Sequence, residues 1–128
     1  MHQLTLTLDL PPQACRPNYR KGARWKSNQE RAVARDESKV RTLSAMNEAK
    51  LYVPPKWKRA RGQAVWYFKK RGRRDPTNLN ATLKWTLDGF VQAGLLADDD
   101  HFHWDDPVVL IDKERPRLEI TITKGEST

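Results

Sequence analysis

Residues 73–101 limit what this chain can be more than any other part of it. A run of lysine and arginine ends at Asp75, a helical pattern follows, and three consecutive aspartates close the stretch, namely Asp98, Asp99 and Asp100. Carboxylate oxygens are the ligands that Mg²⁺ prefers, so two acidic points flanking one helix predict a metal site. Two simpler interpretations stay open, with Asp75 as a helix N-cap and the three aspartates as an exposed acidic turn.

The predicted helix between the acidic points is continuous, beginning at Pro76 and ending just before Gly94. Apolar residues at three- and four-residue steps predict its buried face: Leu79, Leu83, Leu87, Phe90 and Val91. Such a helix spans about 27 Å. Asp75 and Asp99 of one chain therefore cannot meet unless the chain doubles back or the helix breaks at Gly89. A two-fold dimer is the alternative, in which the Asp75 of one protomer faces the aspartates of the other.

Lys84 lies on another face of the same helix, four residues before Asp88. The two side chains are positioned to form an ordinary i,i+4 ion pair. If this face meets DNA, Lys84 is instead placed to hold the scissile phosphate or to stabilise its charge during cleavage. Both interpretations stay open.

The metal-binding chemistry of the chain favours oxygen ligands over sulfur and nitrogen. Cys15 is the only cysteine, and His101 and His103 have no second cluster of histidine or cysteine, which argues against a structural zinc site. Adjacent carboxylates repel one another unless water or a cation neutralises them. Two Mg²⁺ ions, or Mn²⁺ in their place, can activate water and stabilise the leaving oxygen of a phosphodiester. Cys15 itself is interpreted as an ordinary loop or packing thiol.

Positive charge is concentrated in two segments of the chain. Lysine and arginine number 24 against 16 acidic residues, for a formal charge of +8 and an isoelectric point near 9.9, which favours a polyanionic partner. Tyr19 and Trp25 interleave with the first segment, and aromatic rings can stack on unpaired bases. Ordinary solvated charge and a Trp25 buried in the core are the alternatives. The segments contain Arg16, Arg20, Lys21, Arg24 and Lys26, then Lys56, Lys58, Arg59, Arg61, Lys69, Lys70, Arg71, Arg73 and Arg74.

Four segments show the patterns of β-strands. Leucines alternate with polar residues in residues 4–10, and apolar residues occupy both faces of residues 63–69, as in a central strand. Residues 108–111 are uniformly apolar and predict a buried strand. Apolar and polar residues alternate again in residues 118–122, which predicts a hairpin with the preceding strand.

The longer of two predicted helices begins near Asn28, because Ser27 and Glu30 match a capping box. Its apolar stripe contains Val33, Val40, Leu43 and Met46. The chain of 128 residues is thus predicted to be a single α+β domain, in which a small mixed sheet of about four strands packs with two main helices. The first residues lack a secretory pattern and no apolar run is long, so we expect a cytoplasmic protein without a membrane span.

The residues of the central stretch resemble the RusA family of Holliday junction resolvases. The likeness is carried by Arg-Arg-Asp-Pro-Thr-Asn-Leu at residues 73–79, by Lys84 and Leu-Asp at residues 87–88, and by Ala-Gly-Leu at residues 93–95 with the three aspartates after it. These family members are small, dimeric, Mg²⁺-dependent endonucleases of bacteria and their phages. The resemblance implies a RusA-like fold.

The resemblance also implies roles for particular residues. Asp75 corresponds to the first catalytic aspartate of the family and Lys84 to its functional lysine. Asp98 and Asp99 correspond to its downstream acidic pair, and Asp100 replaces either of them if the register shifts by one. Thr77 is the departure, since the family has a second catalytic aspartate there, and a hydroxyl is a weaker metal ligand than a carboxylate.

The sequence therefore predicts an Mg²⁺-dependent endonuclease that resolves Holliday junctions or related branched DNA as a homodimer. A branched-DNA binding protein with weak or lost catalysis, and a nuclease for other branched or single-stranded phage DNA, are the alternatives. The predicted catalytic residues are Asp75, Lys84, Asp98 and Asp99. The predicted metal ligands are Asp75, Asp98, Asp99 and Asp100. The residues predicted to contact DNA are Asn18, Arg20, Lys21, Arg24, Lys69, Lys70, Arg71, Arg73 and Arg74.

Overall fold

A mixed sheet of five strands forms the body of the protein in a computed structural model, which describes residues 2–17, 19 and 22–125. The predicted α+β class is confirmed. In chain order the elements are β1 (Gln3–Leu8), a single 3-10 turn (Gln13–Cys15), α1 (Arg24–Glu48), β2 (Ala60–Phe68), α2 (Pro76–Ala81), α3 (Lys84–Gln92), β3 (Phe102–Trp104), β4 (Val108–Ile111) and β5 (Arg117–Lys124).

β2 is the central strand of the sheet, as its apolar character predicted. β5 lies between β1 and β2 and pairs antiparallel with both of them. On the other side of β2, β3 pairs with its first residues and β4 with its last, both in the parallel direction. Chain segments that leave the ends of β2 therefore lie at opposite ends of the sheet.

One face of the sheet carries the core. Leu4, Leu6 and Leu8 of β1 are buried while the residues between them are exposed. Leu118, Ile120 and Ile122 of β5 are also buried, and the residues between them are half-buried. The alternation seen in the sequence is thus confirmed, because the pleat of a strand sends successive side chains to opposite faces. Burial of each such side chain contributes about 1.5–3 kcal/mol.

Two predictions about β4 are wrong. β2 lies between β4 and β5, so the two strands do not form a hairpin. The side chains of β4 are not buried either, since each of its four residues is 41–44% exposed. β4 packs against β2, and no helix among the described residues covers it to a comparable extent. The short strand β3 was not predicted, because three residues are too few to show a period.

The predicted start and buried face of α1 are also wrong. The helix begins at Arg24, and the Ser27 N–H donates to the Ala23 carbonyl oxygen inside the first turn rather than taking part in a capping box. Val33 and Val40 are each 62% exposed and Leu43 is 43% exposed, so Met46 is the one residue of the predicted stripe that is buried. The buried face instead consists of mostly small side chains: Ser27, Ala34, Ser38, Thr42 and Met46.

Close contact between α1 and α3 explains that choice of residues. The Ser38 hydroxyl donates to the Thr86 carbonyl oxygen at 2.6 Å. A Cβ atom on Gly89 would lie 2.6 Å from the Arg35 carbonyl oxygen, so the two backbones approach more closely than a side chain allows. An apolar stripe is the expected sign of a buried helix face, but small polar residues serve better where helices touch this closely.

The single long helix predicted between the acidic points is two helices, α2 and α3, separated by a turn at Thr82 and Leu83. The Thr82 hydroxyl donates to the Asn78 carbonyl oxygen at 2.7 Å, and the Leu83 N–H donates to the Asn80 carbonyl oxygen. Leu83 is fully buried, so its insertion into the core fixes the turn.

The predicted end of this helical region is confirmed. Gly94 has a φ of +84°, a conformation that glycine adopts without a steric penalty. The Leu95 N–H donates to the Phe90 carbonyl oxygen, and the Gly94 N–H donates to the Val91 carbonyl oxygen. This is the hydrogen-bond pattern of a Schellman motif, which leads the chain from α3 toward the three aspartates.

Candidate nucleic-acid and metal site

The basic turn, residues 69–74, follows β2 and leads directly to Asp75. Arg74 holds the turn together, since its guanidinium lies 3.7 Å from the centroid of the Phe68 ring and donates to the carbonyl oxygens of Lys70 and Gly72. The other four cations are exposed and form no ion pair with a described residue: Lys69, Lys70, Arg71 and Arg73. One cation of the turn is therefore structural and four are available to phosphates.

An open cavity of about 400 Å³ lies beside the basic turn. Arg73, Arg74 and Asp75 line it together with Asn78 of α2. Arg16, which follows the 3-10 turn, also lines it. Because Arg16 belongs to the first basic segment and Arg73 to the second, the structure brings the two predicted segments together around Asp75.

Arg16 was not among the predicted site residues, and the fold explains why. β1 is antiparallel to β5, which is antiparallel to β2, so β1 and β2 run in the same direction. The chain after β1 and the chain after β2 therefore leave the sheet at the same end. Strand order could not be read from the sequence, so the meeting of the two segments was not foreseen.

The first residues of α1 present a cation and an aromatic ring to solvent. Arg24 is exposed and Trp25 is 65% exposed. The alternative in which Trp25 belongs to the core is wrong, and the ring is free to stack on a base. The remaining predicted contacts of this loop, Asn18, Arg20 and Lys21, lie outside the described residues.

Asp75 is the N-cap of α2, as the simpler interpretation predicted. One of its carboxylate oxygens accepts from the Thr77 N–H at 2.9 Å, and Pro76 occupies the first helical position. The residue is exposed and lines the cavity. Among the described residues its second carboxylate oxygen accepts no hydrogen bond, so that oxygen is free to bind a ligand.

The aspartate cluster, Asp98, Asp99 and Asp100, lies in the turn that precedes β3. One carboxylate oxygen from each residue lies within 4.8 Å of the others, and all three side chains are exposed. The Asp100 N–H donates to a carboxylate oxygen of Asp98 at 2.8 Å. The cluster can offer three oxygen ligands to one cation, and an exposed acidic turn describes it equally well.

The two acidic points lie at opposite ends of β2. The Ala60 N–H donates to the His101 carbonyl oxygen, which places the aspartate cluster beside the start of the strand. Asp75 lies near the end of β2, because it follows Arg74, which stacks on Phe68, the last residue of that strand. The nine residues of β2 separate these ends by about 26 Å. The break between α2 and α3 does not bring Asp75 to the aspartate cluster within one chain.

Lys84 is the first residue of α3 and is exposed. Its ammonium lies 5.2 Å from the centroid of the Trp85 ring. It forms no ion pair with Asp88, so the simple pairing that the spacing allowed is not present. The charge of Lys84 is directed to solvent and is available to a phosphate.

The second basic segment is divided between the two ends of the sheet. Its later part forms the basic turn, while Lys56, Lys58 and Arg59 line a cavity of about 430 Å³ at the start of β2, with His101 and Lys124. Basic side chains therefore lie near both acidic points, Asp75 and the aspartate cluster.

No protein-family model and no curated protein matches the chain. Within the described residues, none of the helices combines the length and the apolar character needed to cross a membrane.

The one cysteine takes no part in the site. Cys15 is 4% exposed, and burial raises the pKa of its thiol to about 11. A thiol that stays protonated is neither a good nucleophile nor a metal ligand. Its interpretation as a packing residue fits this environment.

Proposed function

We propose that the chain is an Mg²⁺-dependent endonuclease that cuts Holliday junctions or related branched DNA by hydrolysing phosphodiester bonds. The observation that supports this most strongly is the cavity in which Arg16 and Arg73 meet Asp75. Cations hold DNA through its phosphates, so a phosphate bound there lies beside a carboxylate. The resemblance of residues 73–100 to the RusA family supplies the class of substrate. Such a substrate places the protein in the cytoplasm of a bacterial or phage-infected cell.

The donor set of the aspartate cluster fits Mg²⁺. It offers only oxygen atoms, within 4.8 Å of one another, and its exposure leaves room for water and a phosphate. Bound Mg²⁺, or Mn²⁺ in its place, would supply the Lewis acid that phosphodiester hydrolysis needs. Asp98, Asp99 and Asp100 would hold the ion together with the free oxygen of Asp75.

The remaining residues of the site act on the DNA. Lys84 is exposed and unpaired at the start of α3 and would neutralise a phosphate near the cut. The basic turn and Arg24 would hold the arms of the junction, and Trp25 would stack on an unpaired base. Arg74 keeps the turn folded by stacking on Phe68.

The separation of the acidic points determines how the site is assembled in this proposal. About 26 Å of β2 lies between them in one chain, which is too far for carboxylates to share an ion. We therefore place Asp75 of one protomer with the aspartate cluster of its partner. A two-fold homodimer contains two such sites, which suits the symmetry of a four-way junction.

A second candidate function is branched-DNA binding without efficient cutting. Thr77 favours it, because this exposed residue in the first turn of α2 carries a hydroxyl where the family that the chain resembles has a carboxylate. In this case the basic turn and the cavity bind DNA and the metal site is incomplete. Thr77→Asp restores the missing ligand, and the proposed nuclease is expected to cut faster with it. No change in rate would place Thr77 outside the site.

The test compares binding and cutting of a labelled four-way junction by the wild type and by Asp75→Asn, with and without Mg²⁺. Asparagine also caps helices, so this change removes the charge and keeps the fold. Asp36→Asn on the exposed side of α1 is the matched control. We expect Asp75→Asn to bind and not to cut, while Asp36→Asn does both. Binding by the wild type without cutting would favour the second function, and undiminished cutting by Asp75→Asn would contradict the first.

A further inference from the structure

β4 is an exposed edge strand made entirely of large aliphatic residues. Val108, Val109, Leu110 and Ile111 are each 41–44% exposed, although successive residues point to opposite faces of the sheet. Both faces of the strand are therefore open to solvent. An open groove of about 480 Å³ runs along its last three residues, bounded by Arg71 and Arg74.

The free edge of β4 offers backbone groups as well as side chains. The Asp112 N–H donates to the Phe68 carbonyl oxygen of β2. Alternate residues of a strand direct their backbone groups to the same neighbour, so Leu110 and Val108 also face β2. Val109 and Ile111 face away from it. Within the described chain, β4 has no strand partner on that side.

The opposite edge of the sheet differs in composition. In β1 the residues with outward backbone groups are Gln3, Thr5 and Thr7, which are exposed and polar, and the leucines between them are buried. Natural sheets protect free edges from pairing with polar or charged residues. β1 has this protection and β4 lacks it, which indicates that β4 is covered in the working protein.

We propose that β4 pairs antiparallel with β4 of a second copy of this chain, so that the two sheets join across a two-fold axis. The strand is preceded by Asp106 and by Asp105, which pairs with Arg61 at 3.8 Å, and it is followed by Lys113, Glu114 and Arg115, which together carry one net positive charge. The intervening Asp112 is neutralised by Arg117 at 2.8 Å. An antiparallel pair sets the acidic start of each β4 against the basic end of the other. Asp106 and Lys113 are both exposed and form no ion pair with a described residue of their own chain.

The basic turn adds to this complementarity. It lies beside the end of β4, because Phe68 pairs with Ile111 and the turn follows Phe68. The acidic start of the partner's β4 thus approaches Arg71 as well as Lys113. Opposite charges that meet across an interface fix its orientation and register, and a parallel pair would instead place like charges together.

The same arrangement bears on the proposed catalytic site, and this step rests on the proposed function. β4 runs parallel to β2, so an antiparallel pair of β4 strands reverses the direction of β2 in the partner. The partner's aspartate cluster then lies at the end of the joined sheet where Asp75 of the first chain lies. Pairing through the edge of β4 therefore brings Asp75 of one chain and the aspartate cluster of its partner to the same end of the joined sheet.

The test is the molar mass of the protein by sedimentation across a range of concentrations, without DNA or Mg²⁺. The wild type is expected to have twice the chain mass of 14.9 kDa. Val109→Pro removes an outward N–H and leaves the ladder with β2 intact, so we expect this variant to be monomeric. Thr7→Pro makes the equivalent change at the outer edge of β1 and is expected to remain dimeric. Circular dichroism verifies that both variants fold.

Charge exchange provides a second measurement that does not depend on proline. Asp106→Lys and Lys113→Asp are each expected to raise the dimer dissociation constant on the order of tenfold, and the double variant is expected to restore it. A wild type that is monomeric at every concentration, or a Val109→Pro variant that folds and stays dimeric, would overturn the inference. A dimer that fails to cut DNA would overturn only the proposed function, and a monomer that cuts would overturn only this surface and the shared site.

Discussion

The four exposed cations of the basic turn lead to a quantitative expectation about DNA affinity. Each phosphate that a cation neutralises adds about −0.9 to the slope of log K against log salt concentration on duplex DNA. Replacing Lys70, Arg71 and Arg73 by glutamine therefore removes at most three contacts per chain. The slope is expected to become shallower by up to about 2.7 for each chain that contacts the junction, and so by up to about 5.4 for the proposed homodimer. Arg74 is kept, because its guanidinium stacks on Phe68 and holds the turn.

That change of slope corresponds to a measurable change in salt sensitivity. Over a fourfold rise in salt, which is about 0.6 of a decade, each chain that contacts the junction accounts for a difference of up to about 40-fold in the loss of affinity between the variant and the wild type. Fluorescence anisotropy with a labelled four-way junction, without Mg²⁺, measures the binding constant at each salt concentration. The variant is also expected to bind more weakly at the lowest salt.

A matched variant separates the position of the charges from their number. Lys39→Gln, Arg41→Gln and Lys50→Gln lower the net charge equally, but these residues lie on α1 and just after its end. We expect this variant to keep the slope of the wild type. An unchanged slope in the basic-turn variant, or an equal loss in the control, would show that the turn does not bind DNA.

Three further predictions concern stability, each measured by chemical denaturation. Gly89→Ala is expected to destabilise the fold by about 1–3 kcal/mol, because the new methyl group would lie 2.6 Å from the Arg35 carbonyl oxygen; no loss would mean that the helices separate freely. Burial raises the pKa of Glu37 from 4.5 to about 6, so the native state binds its proton more tightly than the unfolded chain does. The resulting stabilisation is present below pH 4.5 and is lost as the pH rises through 6. Glu37→Gln should therefore stabilise the protein well above pH 6 and not below pH 4.5, by up to about 1 kcal/mol after allowance for solvent screening. Asp75→Ala removes the bond to the Thr77 N–H and is expected to cost about 1 kcal/mol, whereas Asp75→Asn costs little.

Local chemistry made parts of the fold predictable from the sequence. The alternation of leucine in β1 and of leucine and isoleucine in β5 gave the buried face of each strand, since side-chain direction in a strand depends only on parity. Gly94 gave the end of α3 and Asp75 with Pro76 gave the start of α2, because capping depends on a few adjacent residues.

The parts that failed depend on contacts between distant residues. The exposed Val33 and Val40 misled the assignment of the buried face of α1, because the true face is chosen by close approach to Gly89 on α3. The hairpin of β4 and β5 failed because β2 lies between them. Strand order also decides that Arg16 meets Asp75 at one end of the sheet while the aspartate cluster lies at the other.

The central claim is that Asp75 of one chain and the aspartates of its partner form a metal-dependent nuclease site, and mixing two inactive variants tests it most directly. Asp75→Asn and Asp99→Asn are prepared separately and then exchanged, so that roughly half of the dimers contain one chain of each kind. Such a dimer has one site with both changes and one site with neither.

The measurement is cleavage of a labelled four-way junction in Mg²⁺ by each variant alone and by the exchanged mixture. We expect no cutting by either variant alone and recovered cutting by the mixture, chiefly as nicks in one strand because each mixed dimer has one intact site. A mixture that stays inactive while the wild type cuts would contradict the shared site. Undiminished cutting by Asp75→Asn alone would contradict the role of Asp75 altogether.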